Sequence, residues 1–106
     1  MAKYLIQANY VGEGIKGLLK EGGSSRRKVV DELLASVGGK AESFYFAFGD
    51  TDAFVIVDAP DNVTAAAIAL TVGASGVVNL NTTVLMTPEE VDQAIKKSPA
   101  YRAPGA

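Results

Sequence analysis

Two strand-like stretches separated by a four-residue turn lie at the centre of this chain and constrain its fold more than any other feature. Glu42 to Phe48 alternates, with Phe44, Phe46 and Phe48 against Ser43, Tyr45 and Ala47. Gly49-Asp50-Thr51-Asp52 is turn chemistry. Ala53 to Val57 is then a nearly continuous apolar run, as expected of a buried strand. So short a connection predicts an antiparallel hairpin, because parallel strands need a long crossover.

The flanks complete the order. Tyr4 to Tyr10 alternates, with Tyr4, Ile6, Ala8 and Tyr10 on one side and Leu5, Gln7 and Asn9 on the other. Ile15, Leu18 and Leu19 open a short amphipathic helical segment, which Gly22-Gly23 interrupts and after which Ser24 or Ser25 caps the next helix. Val29, Val30, Leu33, Leu34 and Val37 form a helical stripe closed by Gly38-Gly39. After the hairpin, Ala59-Pro60-Asp61 ends a strand and Asp61 or Asn62 caps a helix. Val63, Ala66, Ala67, Leu70 and Ala74 share one face of that helix, and small alanines there predict close packing on a sheet. Val77 to Met86 reads as a last strand, with Val78, Leu80, Thr82, Val84 and Met86 opposite Val77, Asn79, Asn81, Thr83 and Leu85. Thr87-Pro88-Glu89-Glu90 matches a capping box, and Val91, Ala94 and Ile95 are the expected buried stripe of a final helix.

The resulting order, β-α-β-β-α-β-α, predicts an α+β chain with a ferredoxin-like βαββαβ core and an extra C-terminal helix. Right-handed crossovers place both main helices on one face of a four-stranded antiparallel sheet. Neither sheet face is cleanly polar, and an uncovered, partly apolar face calls for a partner. A back-to-back homodimer, or a higher homo-oligomer, whose sheets enclose an interior is the economical solution. One domain is expected over residues 1–97, and 98–106, with two prolines and no period, reads as a flexible tail.

Composition narrows the chemistry. The 106 residues include no cysteine, histidine or tryptophan. That leaves no serine–histidine triad, thiolate nucleophile, disulfide, or imidazole- or thiolate-bound metal. Neither an axial His or Cys for heme nor a GxGxxG for a dinucleotide is present, so no cofactor is expected. Ten basic against twelve acidic residues are too balanced for a nucleic-acid footprint. No apolar window suits a signal peptide or a membrane span, so a cytoplasmic protein with no membrane partner is expected.

The segment from Phe44 to Asp61, with its acid-Ala-Pro-acid turn, resembles the GYD domain family of small bacterial and archaeal proteins. The Ala-rich helix, Leu70, Gly73-Ala74-Ser75-Gly76 and the Thr-rich strand ending at Met86-Thr87 extend the resemblance over about residues 3 to 97. The family's Gly-Tyr-Asp signature maps onto Gly49, Thr51 and Asp52, with one residue inserted and Thr51 in the tyrosine position. The resemblance implies a dimeric α/β-barrel type of protein whose family has no settled biochemical function.

Three groups of polar residues are candidate sites. Asp50 and Asp52 form a close acidic pair at the hairpin turn. Aspartate is foremost a turn residue, and the alternative is a shared proton or a hard cation bound through oxygen. Gln7, Asn9, Asn79 and Asn81, with Thr83, lie on the first and fourth strands, which neighbour each other in this topology. On one face they make a polar patch amid apolar side chains, the usual form of a small-molecule site; otherwise they meet solvent or hydrogen-bond across an interface. Ser24-Ser25-Arg26-Arg27-Lys28 reads as a solvated basic run, with phosphate or carboxylate binding at the helix start as the alternative. Aromatic residues at strand period read as core or interface packing. Self-association with a small ligand between subunits leads; the alternative is a small cofactor-independent oxygenase- or isomerase-like enzyme using aspartate or tyrosine chemistry.

Overall fold

A computed structural model describes residues 1–106. The elements are β1 (Ala2–Tyr10), α1 (Glu13–Glu21), α2 (Gly23–Ser36), β2 (Lys40–Phe46), β3 (Ala53–Ala59), α3 (Asn62–Gly73), β4 (Val78–Leu85) and α4 (Pro88–Lys97). The four strands form one antiparallel sheet in the order β2-β3-β1-β4. This is the α+β ferredoxin-like arrangement expected from the order of elements.

Strand alternation assigns the two sheet faces. Tyr4, Ile6, Ala8 and Tyr10 of β1 and Ala53, Val55, Val57 and Ala59 of β3 are buried against the helices. Tyr4, Val57 and Leu34 of α2 are essentially inaccessible, and Ala65 and Ile68 of α3 join the same cluster. The Tyr4 hydroxyl keeps its polar end satisfied there by donating to Asn62 Oδ1 at 2.6 Å.

The helix ends follow the sequence closely in three places. α2 stops in a Schellman motif: Gly39 N–H donates to Leu34 O at 2.8 Å, Gly38 N–H to Ala35 O at 3.2 Å, and Gly38 takes φ 78°. Asp61 caps α3, accepting from the Thr64 backbone N–H at 2.8 Å, while Asn62 is left for Tyr4. The Thr87–Glu90 capping box of α4 is complete, with Pro88 in the first turn.

Four expectations are corrected. α2 starts at Gly23 after Gly22, with no side-chain cap, so neither Ser24 nor Ser25 serves as N-cap. β2 ends at Phe46, leaving Phe48 fully exposed beyond the strand. The face of α3 against the sheet carries Ala65, Ile68 and Val72; Val63, Ala66, Ala67 and Leu70 point outward, because the inward stripe runs i, i+3, i+7 from Ala65. Finally, α4 buries none of its residues, so Val91, Ala94 and Ile95 are not a buried stripe within this chain.

These exposed faces leave a mark on the overall dimensions. The accessible surface is 7251 Å², against about 5600 Å² for a typical monomer of this mass. The radius of gyration is 17.0 Å, against about 13 Å for a compact chain of this length. α4 buries none of its residues, and the segment after Lys97 has no helix or strand and is exposed throughout. No helix is long and apolar enough to cross a membrane.

Candidate functional site

The sheet face away from the helices can be read row by row from the register. Lys3 of β1 stands between Asp58 of β3 and Leu85 of β4. In the next row Ser43, Ile56, Leu5 and Thr83 run across β2, β3, β1 and β4. Then come Tyr45, Phe54, Gln7 and Asn81, and finally Asn9 beside Asn79. The register thus brings Gln7, Asn9, Asn79 and Asn81 onto one face as two adjacent amide pairs. Beside them lie Phe54, Ile56 and Leu5, which are only half-buried, and Tyr45, which is 71% exposed.

A charged cluster closes one end of this face. Lys3 Nζ donates to Asp58 Oδ1 at 2.8 Å and to Glu42 Oε2 at 2.9 Å. A register shift between Ala41 and Ser43 marks Glu42 as a bulge residue of β2. The hydrogen bond from Lys3 holds the Asp58 carboxyl below its ordinary range, and the bonds to Asp58 and then Glu42 hold the Lys3 ammonium above its own. This cluster was not among the candidate sites legible in the sequence. Its signal was Asp58 interrupting an apolar strand at the position antiparallel pairing sets opposite Lys3.

The other end is closed by the hairpin. Asp52 Oδ2 accepts from the Tyr10 backbone N–H at 2.9 Å, and the Asp52 N–H donates to Asn9 Oδ1 and to Ala8 O, both at 3.0 Å. Asp52 and Asn9 are therefore joined to each other and to the end of β1. Asp50 is exposed, has no hydrogen-bond partner of its own, and is not drawn into this group. Asp52 does not bond its own turn backbone as a local turn residue would: its carboxylate binds the Tyr10 backbone amide at the end of β1. No group of three or more acidic side chains comes together to hold a metal ion.

The chain matches the family model described as the GYD domain over residues 4–95. It belongs to the GYD domain family. No curated protein and no solved structure matches it. Within this GYD domain Asp52 is the acid that ties the hairpin tip to β1.

A second concavity lies on the helix side, where Tyr10, Glu13, Leu18, Glu21 and Arg26 line a cleft of about 200 Å³ between α1 and the start of β4. The Arg26 guanidinium sits over the Tyr10 ring at 5.9 Å, and its Nε is buried without a hydrogen-bond partner. Of the basic run at residues 26–28, then, Arg26 turns toward the core, while Arg27 pairs with Asp31 at 3.7 Å on the surface. The α2 start does not gather the run around one point.

Proposed function

We propose that this GYD-domain protein self-associates through the open face of its sheet and holds a small ligand between subunits against the amide rows. The observation that carries this reading is the composition of that face. Leu5, Phe54 and Ile56 lie at its centre on the two innermost strands, and Gln7, Asn9, Asn79 and Asn81 converge beside them. Each buried side chain of this size is worth about 1.5–3 kcal/mol relative to exposure. Two such faces brought together recover that energy, and the Gln7, Asn79 and Asn81 amides, which have no side-chain partner while Asn9 is held by Asp52, favour a ligand that offers both donors and acceptors.

The ligand half of the proposal is tested by thermal-shift measurement of the wild type and a Gln7→Leu/Asn81→Leu variant against a panel of small polar metabolites. A compound that raises the melting temperature of the wild type alone supports an amide-row site. If no compound does so, the ligand reading is dropped while self-association is judged separately. The enzyme alternative needs a free acid or base. Its two acidic candidates are an Asp52 already bound to the Tyr10 amide and an Asp50 that stands alone in solvent.

A further inference from the structure

Two apolar helical stripes have no cover within the chain. On α3, Val63, Ala66, Ala67 and Leu70 recur at i, i+3, i+4 and i+7 on the side away from the sheet; Val63 is 78% and Leu70 74% exposed. No residue from Asn62 to Gly73 is charged. A helix that is apolar on every side is ordinarily covered on every side. On α4, Val91, Ala94 and Ile95 form a second stripe, and no residue of that helix is buried.

α4 makes no substantial contact with any other element of its own chain and buries none of its residues there. Only Met86 and Thr87 separate β4 from α4, and the capping box sets the direction of departure. Thr87 N–H donates to Glu90 Oε1 at 3.0 Å, Glu90 N–H donates to Thr87 Oγ1 at 3.1 Å, and Pro88 fixes the first turn. The molecule is 58 Å long against 32 and 23 Å in its other dimensions.

We propose that the apolar stripe of α4 packs on the outer face of α3 of a second copy of this chain. The two stripes match in kind. Alanines 66 and 67 let a facing helix approach to about 8–10 Å between axes, and Val91 and Ile95 supply the bulk that fills the space between Val63 and Leu70. Charge does not oppose the contact, since α3 has none; Glu89, Glu90, Lys96 and Lys97 lie at the ends of α4, and Asp92 lies about 100° around the helix from Val91. This interface lies on the opposite side of the domain from the open sheet face and does not rest on the sheet-face reading. Both interfaces used together build an assembly larger than a dimer.

The absence of native cysteine makes the test direct. Leu70→Cys and Ile95→Cys are prepared as separate single variants, mixed and oxidised, so any disulfide between the two positions must join two copies. Leu19→Cys, at an exposed α1 position, replaces Leu70→Cys in the control mixture. The mixed 70–95 species is expected to exceed the 19–95 species at least tenfold, and equal yields would overturn the interface. Light scattering on Ile56→Lys, which places a charge on the open sheet face, separates the two readings. No 70–95 preference together with a smaller Ile56→Lys assembly removes this interface and leaves the sheet face standing. A 70–95 preference with an unchanged Ile56→Lys mass does the reverse.

Discussion

Asn9 and Asp52 lock the top of the sheet: the Asn9 side-chain oxygen accepts from the Asp52 N–H at 3.0 Å while the Asp52 carboxylate accepts from the N–H of Tyr10, the residue after Asn9, at 2.9 Å. The hairpin tip, which belongs to β2 and β3, is thereby fastened to β1. Ala47 N–H donates to Asp52 O at 2.8 Å and completes the join. Asn9 belongs to the amide rows and Asp52 is bonded to it, so the lock also sets where the Asn9 side chain rests.

Replacing Asp52 with alanine removes a charged acceptor and leaves the Tyr10 amide unpaired. The expected loss is about 1.5–3 kcal/mol, read as a lower urea midpoint with an unchanged slope. Asp52→Asn keeps a side-chain oxygen and should lose clearly less. Equal stability of Asp52→Ala and wild type would mean that the carboxylate is not structural and would return it to the list of reactive groups.

Gly14 is required by proximity. A Cβ there would lie 2.2 Å from Val77 O, a backbone atom that also accepts from the Val11 N–H at 2.9 Å. Gly14→Ala must push α1 off the start of β4, at a cost of about 1–3 kcal/mol. Gly17, whose Cβ would meet nothing, is the control: Gly17→Ala should match or exceed wild-type stability in the same melt.

Tyr4→Phe tests the buried bond to Asn62. The ring still fills the core, and loss of the hydroxyl leaves Asn62 Oδ1 without its donor. A destabilisation of about 1 kcal/mol is expected in chemical denaturation, and no change would show that water replaces the tyrosine there.

The Lys3 cluster gives the fold a pH signature. Asp58 is held below its ordinary range, so its contribution is present above the unfolded value of about 3.9 and is lost as pH falls through the lower folded value. Lys3 is raised, so its contribution is complete below about 10.4 and is lost as pH rises through the higher folded value. Asp61 and Glu90 are also lowered, by the caps they make with Thr64 and Thr87, and add to the acid loss. The difference between wild type and Lys3→Met isolates the cluster. It should be largest between those limits and shrink on either side, whereas parallel stability profiles would contradict the assignment.

The sheet order was legible in the sequence because period-2 alternation in β1, β2 and β4 and the short β2–β3 connection fix the strand pairing; the observed register then assigns the two faces of β3, whose run is nearly continuously apolar. The amide rows followed from that register, with Gln7 beside Asn81 and Asn9 beside Asn79. The outward face of α3 was not legible. A helix written Asn62-Val63-Thr64-Ala65-Ala66-Ala67-Ile68 is apolar on all sides, so periodicity offers two stripes and no means of choosing between them. The exposure of α4 was hidden for a different reason. Its amphipathic pattern announces a partner but does not say whether that partner lies in the same chain. The role of Asp52 depends on a backbone amide 42 residues away, which no local pattern records.

The open sheet face as a self-association surface is tested most directly by the solution mass from size-exclusion chromatography with light scattering, measured for wild type and Ile56→Lys at equal concentration. Wild type is expected at a dimer or a larger multiple of the 11.0 kDa chain, with Ile56→Lys shifted to a smaller species while its far-ultraviolet circular dichroism is unchanged. A wild-type mass of 11.0 kDa across the concentration range would contradict the account.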